Sequence, residues 1–246
     1  MKELWLQASC RRGDRNDDVA LVQEWLGLRG RQVAIDGVFG PATEEAVRSF
    51  QRTIGVPATG VVDDQTFRWL AGPMLRALQP IPADHQSLGL LVVAYARQHR
   101  LEHPCEIGGQ NRGPWVRLYM NGHEGAGCPW CAAFVSFVIG QASDAMGRSR
   151  PVPSTFSCDE LARSASRAGV FVGEAEVAAG KRIPPGSIFL VRATPSDWTH
   201  TGIVVEAASE SFETIEGNTN DDGCREGYEV CQRTRGYGSK DFVVFA

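Results

Sequence analysis

The apolar pattern of this 246-residue chain changes period once. Up to Gly169 the apolar residues recur at helical spacing. From Ser187 onward they come in short β-branched runs. The class this implies is α+β: a small N-terminal three-helix bundle, then a domain whose helices precede an antiparallel sheet. Strands are expected at 187–192, 200–207, 211–217 and 241–245.

The bundle announces itself by an internal repeat. Asp36-Gly37-Val38-Phe39-Gly40-Pro41-Ala42-Thr43 realigns with Thr59-Gly60-Val61-Val62-Asp63-Asp64-Gln65-Thr66. The glycines suit turns, and each threonine sits where a helix can begin. An amphipathic segment with Ala46, Val47 and Phe50 follows the first copy, and Phe67-Arg68-Trp69-Leu70 follows the second. Upstream, Val19, Leu21, Val22, Trp25, Leu26 and Leu28 make a further helix. Phe39, Phe50 and Trp69 are expected in the core. A module this small has little room for buried chemistry.

Residues 73–86 read as a linker, with two prolines in Gln79-Pro80-Ile81-Pro82. A helix follows, with Leu88, Leu91, Val92, Tyr95 and Ala96 on one face. The glycine-rich stretch Glu106–Trp115 suits either a surface turn or the wall of a cleft.

Chemistry concentrates at Gly127-Cys128-Pro129-Trp130-Cys131, which runs into an apolar helix through Phe134, Val135, Val138 and Ile139. Cys131 falls in the first helical turn, where partial positive charge and free N–H groups favour a thiolate. The same N–H groups suit an oxyanion formed in acyl transfer. A nucleophilic thiol needs a base, and the base an orienting group. His200 opens one strand, and Glu216 and Asn218 close the next. Two positions apart, both are expected on the same face of that strand. Glu216 is the first choice to orient the imidazole and Asn218 the second. That order of parts is papain-like. Cys128 and Cys131 also form C-x-x-C, which suits a redox pair, or a zinc site drawing on His103, Cys105 or His123. A Cys128–Cys131 disulfide would silence the nucleophile. Cys10, Cys105 and Cys158 read as structural, and Cys224 and Cys231 as a pair that oxidation would join. Seven cysteines leave at least one free or bonded to another chain. Ser157 and Glu160 form a capping-box pattern for a helix over 159–168.

Two stretches resemble known families. Gly13-Asp14, Val22-Gln23, Leu26, Asp36-Gly37, Phe39-Gly40, Thr43, Ala46-Val47, Phe50-Gln51 and Gly60-Val61 are similar to the peptidoglycan-binding domain 1 family. Asp63-Asp64 departs from its usual pattern. Trp130-Cys131-Ala132-Ala133-Phe134-Val135, His200-x-Gly202-Ile203-Val204 and Glu216-x-Asn218 resemble the CHAP domain, the cysteine- and histidine-dependent amidohydrolases and peptidases. Ser187 stands where many CHAP domains are acidic. The resemblances imply a peptidoglycan-binding module at 1–72 and a CHAP-like domain at 87–246. Cys131, His200, Glu216 and Asn218 would be catalytic, and Asn111, Arg112 and Trp130 substrate contacts. No acidic calcium loop precedes the cysteine, so no metal or other cofactor is expected.

The implied activity is cleavage of an amide in peptidoglycan through a Cys131 thioester, as a phage endolysin or an antibacterial effector. The bond would be the muramoyl–alanine amide or one in the stem or cross-bridge. The alternatives are an inactive peptidoglycan-binding protein and an intracellular amidase on a small amide. Peptidoglycan is the expected partner of a monomer, with release by a holin or restraint by an inhibitor or immunity protein. A net charge of −4 gives no case for nucleic acid or an anionic membrane surface. No apolar run spans a bilayer. The first residues lack the apolar stretch of a secretory signal, so synthesis in the cytoplasm and action on the wall are expected.

Overall fold

Side-chain caps set where four of the helices begin. Asn16 accepts from the Val19 N–H at 2.9 Å, Asp63 from Thr66 at 2.7 Å, Ser87 from Leu90 at 3.3 Å and Ser157 from Glu160 at 3.3 Å. The computed structural model describes residues 2–84, 86–220 and 227–245. Its helices in chain order are α1 (Asp17–Leu28), α2 (Pro41–Thr53), α3 (Asp64–Leu70), α4 (Gly72–Ala77), α5 (Leu88–Leu101), α6 (Pro114–Tyr119), α7 (Cys131–Ala145), α8 (Cys158–Arg167) and α9 (Glu174–Ala178). Its strands are β1 (Phe171–Val172), β2 (Ile188–Thr194), β3 (Asp197–Ala207), β4 (Ser211–Thr219), β5 (Glu229–Gly236) and β6 (Lys240–Val243). The class is α+β.

Two units divide the chain. One joins Met1–Leu78 with Cys105–Ala126, and the other joins Gln79–Pro104 with Gly127–Ala246. This differs from the division expected from sequence. Residues 73–86 are not one free linker: Met74 and Ala77 of α4 are fully buried in the first unit, and the Ile81 N–H donates to the Tyr95 hydroxyl in the second. The glycine-rich stretch around residue 110 belongs to the first unit.

In the first unit the sequence repeat has a physical counterpart. The Gln23 side chain accepts from the N–H groups of Asp36 and Gly37 and donates to the Val38 carbonyl and the Thr43 hydroxyl. Gln51 does the same one repeat later, accepting from Gly60 N–H and donating to the Val61 carbonyl and to Thr59 and Thr66. Each buried amide thus clasps one glycine turn and satisfies backbone groups that burial would otherwise orphan. Gly60, at φ 77°, could not carry a side chain without meeting Arg48 and Glu44 at 2.9 Å. Phe39 and Phe50 are core residues as expected. Trp69 is not: it is 50% exposed, because it lies on the outer side of α3 while Phe67 and Leu70 turn inward. Trp69 borders a cavity of about 240 Å³ that Gln51, Pro57, Asp63 and Gln65 also line.

Helix α6 completes this unit. Trp115 meets Trp25 edge to face at 6.2 Å, and the Trp25 indole N–H donates to the Glu3 carbonyl. One guanidinium, Arg117, donates to Glu3 at 2.7 Å, Glu24 at 2.6 Å and Glu124 at 2.7 Å.

The second unit is built on a six-stranded sheet in the order β1-β6-β2-β3-β4-β5, antiparallel at every pairing. Strands β1 and β5 fall outside the segments expected from sequence. Phe189, Val204, Phe212 and Phe242 cluster with Val172 and Ile183. Helix α7 packs on β3, β4 and α5. The predicted face of α5, Leu88, Leu91, Val92, Tyr95 and Ala96, is buried. Gly89 and Gly186 let two backbones touch: a Cβ on Gly89 would lie 2.4 Å from the Pro185 carbonyl oxygen.

Candidate active site

Helix α7 begins at Cys131, with Pro129 and Trp130 just outside it. Its start is pinned to β4. The Trp130 N–H donates to Asn218 Oδ1 at 3.0 Å, and Gly217 lies so close that a Cβ there would meet Trp130 and Phe134 at 2.8 Å. Strand β3 presents His200, whose Nε2 lies 2.8 Å from Glu216 Oε2 on β4. The Cys131 sulfur and the His200 ring are close enough that each shifts the other's titration. Cys131, His200 and Glu216 therefore form one connected row.

Glu216 is fully buried and held from three sides. Arg235 on β5 donates to Oε1 at 2.8 Å and to Oε2 at 2.5 Å, and the Thr214 hydroxyl donates to Oε1 at 2.6 Å. Burial alone would raise its carboxyl, but Arg235 and His200 outweigh it and lower it to about 2. For His200 burial works against the charged ring. The Cys131 sulfur and Glu216 outweigh burial and raise it to about 9. The Cys158 thiol, and then His200, hold the Cys131 thiol well below its ordinary value despite burial. The shifts run in complementary directions, the Cys131 thiol down, the His200 ring up and the Glu216 carboxyl down, which favours a charged thiolate, imidazolium and carboxylate.

Asn218 does not share Glu216's partners. The β4–β5 register shifts between Glu216 and Thr219, and Asn218 takes φ 55°, which asparagine tolerates better than most residues. That irregularity ends the two-residue alternation from which a common face was expected. Asn218 instead accepts from Trp130 N–H and donates to the Gly227 carbonyl at 2.6 Å. It fixes the start of the helix that carries the thiol.

Of the three expected substrate contacts, Trp130 and Asn111 are buried and Arg112 is exposed. Trp130 has no exposed surface and is a packing residue. Asn111 is buried in the first unit, where its N–H binds Glu106 and its side chain binds the Ala126 carbonyl. Arg112 is half exposed in that unit and faces Glu124 at 3.6 Å. His103, a candidate ligand in the zinc alternative, pairs with Glu229.

Cys158 is the residue that sequence reasoning misassigned. It is the first residue of α8, and its sulfur lies 3.7 Å from that of Cys131. The signal was present, since the Ser157 cap places Cys158 in a first helical turn just as Pro129-Trp130 places Cys131. Arg235 was missed because β5 was not expected as a strand. Cys224 lies outside the described residues, and with it the expected pairing to Cys231. Ser187 is buried, its hydroxyl on the Pro184 carbonyl at 2.7 Å. Among the described residues no helix is long and apolar enough to cross a membrane.

Residues 15–70 match the protein family described as "Putative peptidoglycan binding domain". A 38-residue stretch is 53% identical to the Zinc D-Ala-D-Ala carboxypeptidase of Streptomyces albus G and covers 15% of this chain and 15% of that protein. The chain thus spans only a small part of this curated relative. Among solved structures, the SleB N-terminal domain is similar at 32% identity over 28% of this chain and 94% of its own, with a TM-score of 0.27. A peptidoglycan-binding protein from Clostridioides difficile, in complex with glutamine hydroxamate, is similar at 33% identity over 28% and 42%, TM-score 0.26. The Burkholderia AP3 phage endolysin is similar at 29% identity over 36% of each chain, TM-score 0.26.

Proposed function

We propose that this protein is a cell-wall hydrolase that cuts an amide bond of peptidoglycan through a thioester on Cys131. The observation that carries this reading is the row Cys131–His200–Glu216, with the sulfur at the start of a 15-residue helix and the imidazole held by a buried carboxylate. It is the arrangement expected of a CHAP-like, papain-like amidohydrolase. The peptidoglycan-binding domain would keep the polymer near this site and raise its local concentration.

In this reading the Cys131 thiolate attacks the amide carbonyl carbon, and the carbonyl oxygen becomes an oxyanion. The free N–H groups of the first turn of α7 lie where such a charge is favoured. His200, already an imidazolium, gives its proton to the leaving amine as the C–N bond breaks. The neutral imidazole then takes a proton from water, whose oxygen attacks the thioester and releases the acid and Cys131. Glu216 keeps the ring oriented through both halves, and Arg235 and Thr214 keep Glu216 in place. The bond is either the muramoyl–alanine amide or one in the stem or cross-bridge, and the setting is phage lysis or delivery as an antibacterial effector.

Purified sacculi digested by wild type and by Cys131→Ala, with reductant, test this reading. Soluble fragments from wild type alone are expected, and mass spectrometry of their new ends names the bond. Stem peptides beginning at L-alanine mean an amidase, and split stems or bridges an endopeptidase. Release of no fragment by wild type from several wall chemotypes would overturn the hydrolase reading.

A further inference from the structure

We propose that Cys131 and Cys158 form a reversible disulfide that switches the site off when the protein meets a hydroperoxide. The loss of activity rests on the function proposed above; the bond itself does not.

Geometry carries the inference. The two sulfurs lie 3.7 Å apart, 27 residues apart in sequence, and both are free thiols. A disulfide needs them at about 2.05 Å, a short approach for two side chains already in contact. Each cysteine is the first residue of its helix, α7 or α8, so two positive helix ends converge on this pair. Asp159 fixes the second helix by accepting from the Trp198 N–H at 2.8 Å, two residues before His200. Cys128, the partner suggested by the C-x-x-C spacing, is partly exposed and precedes the helix.

The chemistry balances with hydrogen peroxide as oxidant. The Cys131 thiolate attacks one peroxide oxygen, the O–O bond breaks, and hydroxide leaves and takes a proton to become water. Cys131 is then a sulfenic acid. Until this point Cys158 is a poor nucleophile, its thiol pushed far up by the neighbouring Cys131 sulfur and by burial. Loss of the Cys131 charge removes the larger of those two restraints. The Cys158 sulfur, losing its proton, attacks the Cys131 sulfur, the S–O bond breaks, and a second water leaves. Two thiols have lost two electrons and two protons, and one peroxide has become two waters. A dithiol reverses the bond by exchange. With Cys158 at hand the sulfenic acid is captured before it reaches the irreversible sulfinic state.

The full-length protein treated with stoichiometric hydrogen peroxide, blocked with N-ethylmaleimide and digested without reductant gives the test. A peptide linking Cys131 to Cys158 is expected, together with loss of Cys131 alkylation and its return with dithiothreitol. In Cys158→Ala the first equivalent of peroxide is expected to leave Cys131 as sulfenic acid and a second equivalent to carry it to sulfinic acid, which dithiothreitol does not restore. A linkage from Cys131 to Cys128, or a Cys131 that stays fully alkylatable, would overturn the proposal. Sacculus digestion followed in parallel separates the two readings. If the linked peptide forms while the reduced protein never digests sacculi, the hydrolase reading fails and the switch stands.

Discussion

Gly202 and Glu216 face each other across the β3–β4 pair so closely that a Cβ on Gly202 would sit 2.7 Å from Glu216 Cγ and 2.7 Å from the Phe189 ring. The glycine two positions after the histidine is therefore a gap through which the orienting carboxylate passes. Gly202→Ala is expected to displace Glu216 and to cost about 1–3 kcal/mol of stability through overpacking. Sacculus digestion and the thermal midpoint, measured on the same preparation, should both fall. Unchanged values in both would show that Glu216 has room to spare.

Glu216 and Asn218 should separate in a pH profile. His200 is raised to about 9 from an ordinary 6.5, so the stability from its charged pairing is fully present below about 6.5 and lost as pH rises through about 9. Activity that needs the imidazolium is expected to fall over the same upper window. Glu216→Gln removes one of the groups that raises His200. The basic limb should move to lower pH, with kcat reduced on the order of 10²–10⁴-fold. Asn218→Ala should leave the basic limb in place and lower the thermal midpoint instead, because its bonds go to Trp130 and Gly227. A basic limb that shifts equally in both variants would contradict this division of labour.

Arg117 joins Glu3, Glu24 and Glu124 in the first unit, and Glu124 also faces Arg112. Arg117→Met would leave Glu3 and Glu24, both buried, without it. The expected loss is about 3–5 kcal/mol, read as an earlier urea midpoint. Lowering the pH toward the carboxyl range should narrow the gap from wild type, since protonated carboxyls no longer need the guanidinium.

Trp69 offers an exposed ring beside a small polar cavity in the peptidoglycan-binding domain. Trp69→Ala in the Cys131→Ala background is expected to weaken pelleting with intact sacculi several-fold while leaving the thermal midpoint nearly unchanged. An exposed ring contributes little to the core but much to a flat sugar face. Equal pelleting of the two proteins would move the binding surface elsewhere on the domain.

How much of this was legible beforehand depends on whether the cause is local. The thiol at a helix start, the histidine on a strand and the carboxylate on its neighbour each follow from spacing and turn chemistry, although the strand begins at Asp197, three residues before His200. The repeat at Gly37 and Gly60 was equally visible, though not the glutamines that clasp it. Arg235 and Cys158 were hidden because their roles are set by which segments the sheet brings together. Asn218 was misread because one left-handed residue breaks an alternation that sequence can only assume. Trp69 shows the same limit on a helix: with two large apolar neighbours, burial of the third depends on the neighbouring elements.

Because residues 105–126 return to the first unit, the backbone passes between the units three times. A protease that cut once within 79–87 would therefore release neither half. The N-terminal fragment would still hold α6 of the other fragment through Trp25–Trp115 and the Arg117 pairs. The nicked chain would migrate as two bands in denaturant and travel as one particle without it. A truncated first unit ending near residue 78 would lack its last helix, so the usual practice of expressing an N-terminal wall-binding module alone would discard part of its core.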